Sequence, residues 1–427
     1  MIDVSESFKF AVKNGSMNNQ LRIRVFEEQA DGSNSYYIVN SEIVSESMKI
    51  QSSICDDTKF TFGGCIASEF EIEISKNVDL TGKYITVYLT QIAKSLIYPG
   101  EVTFPGANSY PGGGEYTETF AIFSGEIYSC KFSKNHLTRT IVAYDRFYWR
   151  GGIDCTKWYQ SWHNANKDEN GCVTIGALRK AVLKQFLIVE AADPPHDTAV
   201  ALPADDFPVH MIEDNVTVGD LLRMICEFNG CFMAFNGGGN VEYIYVNNGK
   251  YIDGANTEIY DYYIEFQPED YSKGAFDGIY INSLESGCGI LPIGTDEQEN
   301  FYFMDGNTLL GNGYTTGPAI IPNSINTVYT DLGIKAKIEG NFDVYYTPMT
   351  LTAQSRLWVQ LGDRIAVKFK YYSFDSGENG NEVAVEHIDT VYSYVLSRNI
   401  SGIQALRDEI SAEGENMRYT EEYFTES

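Results

Sequence analysis

Five histidines, eight cysteines and four tryptophans are the side chains in this 427-residue sequence best able to ligate, bind or move a proton. His136, His163, His196, His210 and His387 share no spacing with a nucleophile or with one another, so each reads as structural or exposed. Cys55, Cys65, Cys130, Cys155, Cys172, Cys226, Cys231 and Cys288 form no CxxC and no Cys/His cluster at zinc spacing. Their density is too low for a disulfide scaffold and fits reduced, mostly buried thiols made in a cytoplasm. Gly112-Gly113-Gly114 and Gly237-Gly238-Gly239 are not followed by the Lys-Ser/Thr or strand–helix unit of a phosphate-cradling loop. Adjacent acids such as Asp56-Asp57, Asp205-Asp206 and Glu421-Glu422 are expected among 59 carboxylates and define no glycosidase pair. The sequence therefore nominates no catalytic, cofactor-binding or metal-ligating residue, no cofactor, and no enzymatic activity.

Trp149, Trp158, Trp162 and Tyr159 gather around Arg150-Gly151-Gly152. A hydrophobic seam between domains is the plainer explanation, and a sugar platform is the sharper one. The second keeps open an alternative function, a carbohydrate-binding or glycan-hydrolysing β-protein with a cleft of converging acids and aromatics. Net charge is −28, from 31 basic and 59 acidic residues. That argues against sequence-specific nucleic-acid binding, which needs clustered Lys and Arg, and against adsorption to anionic membranes. Solubility accounts for most of the charge, and acids lining a channel would let DNA pass without sticking. No apolar run reaches the roughly 18 residues of a membrane helix, so no membrane insertion is expected. Met1-Ile2-Asp3-Val4-Ser5-Glu6 lacks a basic start and an apolar core, which argues against Sec-type export.

The elements that must position these side chains are mostly strands, and 30 Tyr and 24 Phe suit pleated surfaces. In Phe60-Thr61-Phe62-Gly63-Gly64-Cys65-Ile66-Ala67-Ser68-Glu69-Phe70-Glu71-Ile72-Glu73-Ile74, the second half alternates apolar and acidic residues, as in a half-buried strand. Gly63-Gly64 lets the chain bend sharply before it. Phe8–Val12, Leu21–Phe26, Tyr36–Val39, Tyr84–Leu89, Phe120–Tyr128 and Thr138–Asp145 also read as strands, with a Pro/Gly-rich loop over 98–114. Thr174–Val189 has helical spacing, capped by Thr174 and stopped by Pro194-Pro195. A second helix starts at Thr217 with Asp220 completing a capping box and ends at Gly230, feeding a hairpin that turns at 236–240. Strands are expected again at 260–266, 345–352, 365–369 and 390–397, while the glycines of 285–345 predict a loop-rich stretch.

These pieces resemble phage tail-hub (baseplate hub, tail-associated) proteins. The family's first barrel shows an F-G corner followed by small residues and an alternating strand, then a Phe-x-Gly-x-Ile strand and x-Ala-Tyr-Asp. Here Phe62-Gly63, Phe123-Ser124-Gly125-Glu126-Ile127 and Val142-Ala143-Tyr144-Asp145 fill those places. The run Thr217-Val218-Gly219-Asp220-Leu221-Leu222 through Asn229-Gly230-Cys231-Phe232 looks like the family's small α/β domain. Leu361-Gly362-Asp363-Arg364-Ile365, and Ser397-Arg398-Asn399-Ile400-Ser401-Gly402 with Gln404-Ala405-Leu406-Arg407-Asp408, resemble the second barrel and its exit.

The resemblance implies a mainly β chain with α+β parts: two β-barrel domains, a small α/β domain and an inserted loop-rich subdomain. The expected divisions are a first barrel over 1–150, the α/β domain over 151–256, a second barrel over 257–284 and 346–410, the insertion over 285–345 and an acidic tail over 411–427. It further implies a virion tail protein, made in a bacterial host cytoplasm, that forms a homotrimeric ring between tail tube and tip. Its neighbours would be the distal tail or tube proteins and the tip proteins. A hub of a non-phage contractile injection machine would read the same way.

Overall fold

Helix α1 (Glu6–Asn14) forms where alternation of Phe8, Phe10 and Val12 predicts a strand. Ser5 caps it, its hydroxyl accepting from the Phe8 N–H at 3.2 Å, and Phe8, Ala11 and Val12 fall on one buried face at helical spacing. Phe10 is left partly exposed. Local capping and an i, i+3, i+4 stripe outweigh a period of two that holds over only three apolar residues.

The computed structural model describes residues 1–27, 35–55, 63–94, 115–134, 136–191, 202–209, 211–212, 215–246, 257–268, 278–283, 287–292, 300–305, 313–316, 346–376 and 382–412. In the strands between 278 and 316, and over 372–376 and 382–384, it describes the backbone only. Phe60-Thr61-Phe62, the 98–114 loop, Pro194-Pro195, His196, His210, Asp56-Asp57, much of 285–345 and the acidic end from 413 lie outside the described residues.

After α1 come β1 (Ser16–Phe26), β2 (Tyr36–Val39), β3 (Lys49–Ser53), β4 (Glu69–Ile74), β5 (Tyr84–Lys94), β6 (Glu115–Phe132) and β7 (Arg139–Tyr144). A helical section follows: α2 (Arg146–Gly151), α3 (Thr156–Asn166), β8 (Val173–Thr174), α4 (Ile175–Gln185), β9 (Pro208–Val209), α5 (Val218–Phe228), and the hairpin β10 (Phe232–Phe235) and β11 (Val241–Ile244). Then come β12 (Glu258–Tyr260), β13 (Glu265–Pro268), β14 (Gly278–Ser283), β15 (Gly287–Pro292), β16 (Asn300–Asp305) and β17 (Gly313–Thr316). The chain returns with β18 (Met349–Gln354), β19 (Arg364–Ser376), β20 (Glu382–Tyr394), β21 (Ser397–Ser401) and β22 (Arg407–Ser411).

One antiparallel sheet of eleven strands runs β13-β18-β22-β21-β3-β4-β7-β6-β5-β1-β2. It takes strands from both predicted barrels and joins them through the β3–β21 ladder, with Ile50 opposite Ile400. No ladder closes this sheet into a barrel among the described residues. A single bridge, Ile43 to Ile74, with the Val44 N–H on the Glu73 carbonyl at 2.9 Å, brings the chain beyond β2 back to β4. Alternation in a sequence fixes which face a residue takes and leaves the neighbouring strand open.

Strand β4 follows its pattern: Phe70, Ile72 and Ile74 are fully buried, and Glu69, Glu71 and Glu73 face outward. Phe8 of α1 lies between Phe120 and Trp358, at 6.1 and 6.0 Å between ring centroids, so the first helix packs against both β regions. The predicted 260–266 strand is split, because β12 pairs in parallel with β19 while β13 joins the large sheet beside β18. The predicted 390–397 strand is likewise divided between β20 and β21. A four-stranded sheet, β15-β14-β16-β17, begins at Gly278 and crosses the stretch whose glycines predict loop.

Helix α5 starts and stops as its caps predict. The Thr217 hydroxyl accepts from the Asp220 N–H at 3.1 Å, and Asp220 accepts from the Thr217 N–H at 2.9 Å. Gly230, at φ +62°, and the Cys231 N–H on the Cys226 carbonyl make a Schellman end. Helix α4, capped by Thr174 as expected, stops earlier than its apolar spacing suggests. Leu187 takes φ +55° and the Ile188 N–H turns back to the Leu183 carbonyl at 2.9 Å, the same Schellman end without a glycine.

Candidate functional site

The glycine corner is where the helical section docks on the sheet. Gly63, at φ +77°, donates its N–H to the Cys231 carbonyl at 2.9 Å, and the Met233 N–H donates to the Gly64 carbonyl at 3.1 Å. A Cβ on Gly63 would lie 2.4 Å from the Arg223 carbonyl oxygen. On the other side of the hairpin, a Cβ on Gly237 would lie 1.8 Å from the Ala121 carbonyl oxygen of β6. The two contacts hold α5 and the β10–β11 hairpin against the sheet at backbone distance, which side chains forbid.

Between the hairpin, the sheet and the 357–361 turn lies a cavity of about 100 Å³. Asp145 lines it, at 2% exposure. Its carboxylate caps α2, accepting from the Phe147 and Tyr148 N–H groups at 2.9 and 3.4 Å, and accepts from the Ser68 N–H at 2.7 Å. Burial raises its pKa to about 6 against the pull of those backbone donors. As a cap and cross-link between β4 and the helical section, it has a structural task that accounts for its burial.

A buried charge network fastens the end of the chain. Arg398 of β21 makes a two-pronged pair with Asp408 of β22, at 3.2 Å from Nε and 2.7 Å from Nη2. Its guanidinium also donates to the Val359 and Arg356 carbonyls. Arg356 donates its backbone N–H to Asp408 at 3.2 Å and its side chain to Glu258 at 2.6 Å, over the Tyr260 ring. Lys13 of α1 reaches the same Glu258 oxygen at 2.7 Å. These charges satisfy one another and bind α1, β12 and the last hairpin into one unit.

The residues singled out in the sequence are scattered. His163 is buried with Nε2 3.3 Å from the Val209 carbonyl oxygen, His136 sits at the β6–β7 turn, and His387 stacks on Tyr371. Among the described residues no three His, Cys, Asp or Glu side chains come together as a metal site would require. The seven cysteines whose side chains are described are buried, and they form no disulfide among the described residues. Asp205, one of the adjacent acids, pairs with the buried Arg179 at 2.7 Å. The tryptophans do not form one group. Trp158 stacks on Trp162 at 6.2 Å beside Phe186, Tyr159 is buried with its hydroxyl on the Ile212 N–H, and Trp149 joins Tyr128, Tyr144 and Tyr148. Along α3, Trp158 and Trp162, four residues apart, share one side, whereas Trp149 belongs to α2 and to a different cluster.

Several strand margins have no ladder neighbour among the described residues. In the described ladders β2 pairs only with β1, and β13 only with β18. Tyr36 and Tyr37 on β2 are partly exposed, with the Arg22 guanidinium 4.7 Å from the Tyr37 ring centre. Tyr262 and Ile264 stand out beside β13. Strands β19 and β20 form a two-stranded ribbon thirteen residues long, of which β12 covers only the base. Such margins offer main-chain donors and acceptors to a neighbouring chain. No membrane-length apolar helix occurs among the described residues.

No protein-family model matches the chain, and no curated protein matches it. Among solved structures, it is similar to a tail protein from Neisseria meningitidis MC58, with a TM-score of 0.43 and 12% identity over 92% of this chain and 96% of that one. It is also similar to the 43 kDa tail protein of prophage MuSo2 from Shewanella oneidensis, with a TM-score of 0.42 and 12% identity over 91% of this chain and 97% of that one.

Proposed function

We propose that the chain is a non-enzymatic structural component of a phage or prophage tail tip, a baseplate hub that assembles as a trimeric ring, joins the tail tube to the tip and lets DNA pass. The observation that carries this is the β3–β21 ladder. It makes one platform of the early and late strand sets whose motifs resemble the tail-hub family, and the helical section docks on the corner between them. In this proposal the two strand sets close as barrels in the domain order read from the sequence, the Ile43–Ile74 bridge being the start of one closure. The open strand margins and the β19–β20 ribbon are the contacts with other copies and with the tube and tip proteins. A net charge of −28 keeps DNA from adhering to the ring.

Light scattering after size exclusion, over a range of protein concentration, tests the assembly. Mass should rise towards three times 47.9 kDa, and electron micrographs of that species should show a ring with an axial hole. A chain that stays at 47.9 kDa throughout and gives no rings overturns the trimer.

A further inference from the structure

We propose that the aromatic shelf formed by Tyr128, Tyr144, Tyr148 and Trp149, with the cleft beside it, is a binding site for a neutral oligosaccharide. The inference is independent of the tail-tip proposal. Tyr144 and Tyr148 lie parallel, 4.1 Å between ring centres at 13°. Tyr128 meets them edge-on at 5.6 and 5.9 Å, and Trp149 meets Tyr148 edge-on at 5.2 Å. The rings come from β6, β7 and α2, yet Tyr128 remains 50% exposed and Tyr148 43%. A helix and two strands thus hold a ring surface in place and leave much of it facing water.

The cleft that adjoins this shelf has a volume of about 480 Å³, and its lining includes Glu27, Lys83, Tyr84, Glu126, Trp149 and Arg150. Two carboxylates face two cations, so the cleft is balanced in a chain with 59 acids against 31 bases. Lys83 and Glu27 already pair across it at 2.5 Å. A hexopyranose has an apolar C–H face that lies on an indole or phenol ring, and a rim of hydroxyls that donate to carboxylates and accept from Lys and Arg. A charged ligand would instead meet a like charge and compete with the Lys83–Glu27 pair. A second protein copy fits less well, because Glu27, Lys83 and Glu126 are of the residue types depleted in the cores of protein interfaces.

The test is an array of immobilised neutral, sialylated and sulfated oligosaccharides probed with the 427-residue chain, as wild type, Trp149→Ala, Tyr148→Ala and Glu27→Gln. Thermal melts establish that each variant is folded. Glu27 and Tyr148 are exposed enough for their variants to keep the fold should Trp149→Ala fail to do so. The expected result is signal confined to neutral glycans, about tenfold weaker in Trp149→Ala and reduced in the other two. No neutral signal, signal on charged glycans alone, or equal signal from Tyr148→Ala and Glu27→Gln overturns the site. Loss of an oligomer on changing Tyr148 also overturns it, by assigning the shelf to a subunit contact.

Discussion

The backbone N–H of Gly63 donates to the carbonyl of Cys231 at 2.9 Å, tying the corner before β4 to the turn that ends α5. Gly63 and Gly82 share nearly the same φ, +77° and +76°, but differ in surroundings. A Cβ at Gly63 would strike the Arg223 carbonyl oxygen, whereas at Gly82 it would meet nothing within 4 Å. Gly82→Ala should therefore cost only the left-handed backbone, about 1 kcal/mol. Gly63→Ala adds overpacking against main chain and should cost about 3 kcal/mol. Urea denaturation of the two variants measures the difference. Equal costs would mean that the helical section is not held at this corner.

What the sequence made legible was what neighbours in the chain decide. Thr217, Asp220 and Gly230 cap their helix through bonds to residues within five positions, and Phe70, Ile72 and Ile74 need only the period of a strand. Phe8-Lys9-Phe10-Ala11-Val12 was misleading because its apolar residues satisfy both periods, and Ser5 decides between them. The partnership of β3 with β21, and of Lys13 and Arg356 with Glu258, depends on residues 98 or more positions apart. The aromatic shelf is half legible: in the sequence Trp149 stands beside Trp158, Trp162 and Tyr159, and in the fold it stands beside Tyr128, Tyr144 and Tyr148.

Arg398 and Asp408 fall in the stretch whose sequence resembles a tail-hub ending, and that resemblance gives them no role. In the fold they are a buried two-pronged pair, Asp408 fully so. Removing Asp408 leaves the buried Arg398 guanidinium with the neutral Val359 and Arg356 carbonyls, and removing Arg398 leaves the buried Asp408 carboxylate with the Arg356 N–H. Asp408→Leu should destabilise by about 3 kcal/mol or more, and Arg398→Met by a similar amount. The double variant Arg398→Met with Asp408→Leu should cost clearly less than the two single costs combined. Chemical denaturation of the four proteins closes the cycle, and strict additivity would show that the pair is not a unit.

Asp145 gives the chain a pH-dependent weakness. Unfolded, its carboxyl titrates near its ordinary 3.8, and burial raises the folded value to about 6. Between those values the folded state binds more proton, so stability from this group falls as pH rises, full below the unfolded pKa and lost through the folded one. Ionisation leaves a charge at 2% exposure, held by three backbone N–H groups. Asp145→Asn keeps an oxygen for the helix cap and cannot ionise, so it lacks this slope. Relative to wild type, the Asn variant should gain about 2 kcal/mol between pH 4.5 and 7.5. Urea midpoints of both proteins across that range give the comparison, in which all other titrations cancel. Parallel pH profiles would show that Asp145 stays ionised throughout, with its three donors outweighing its burial.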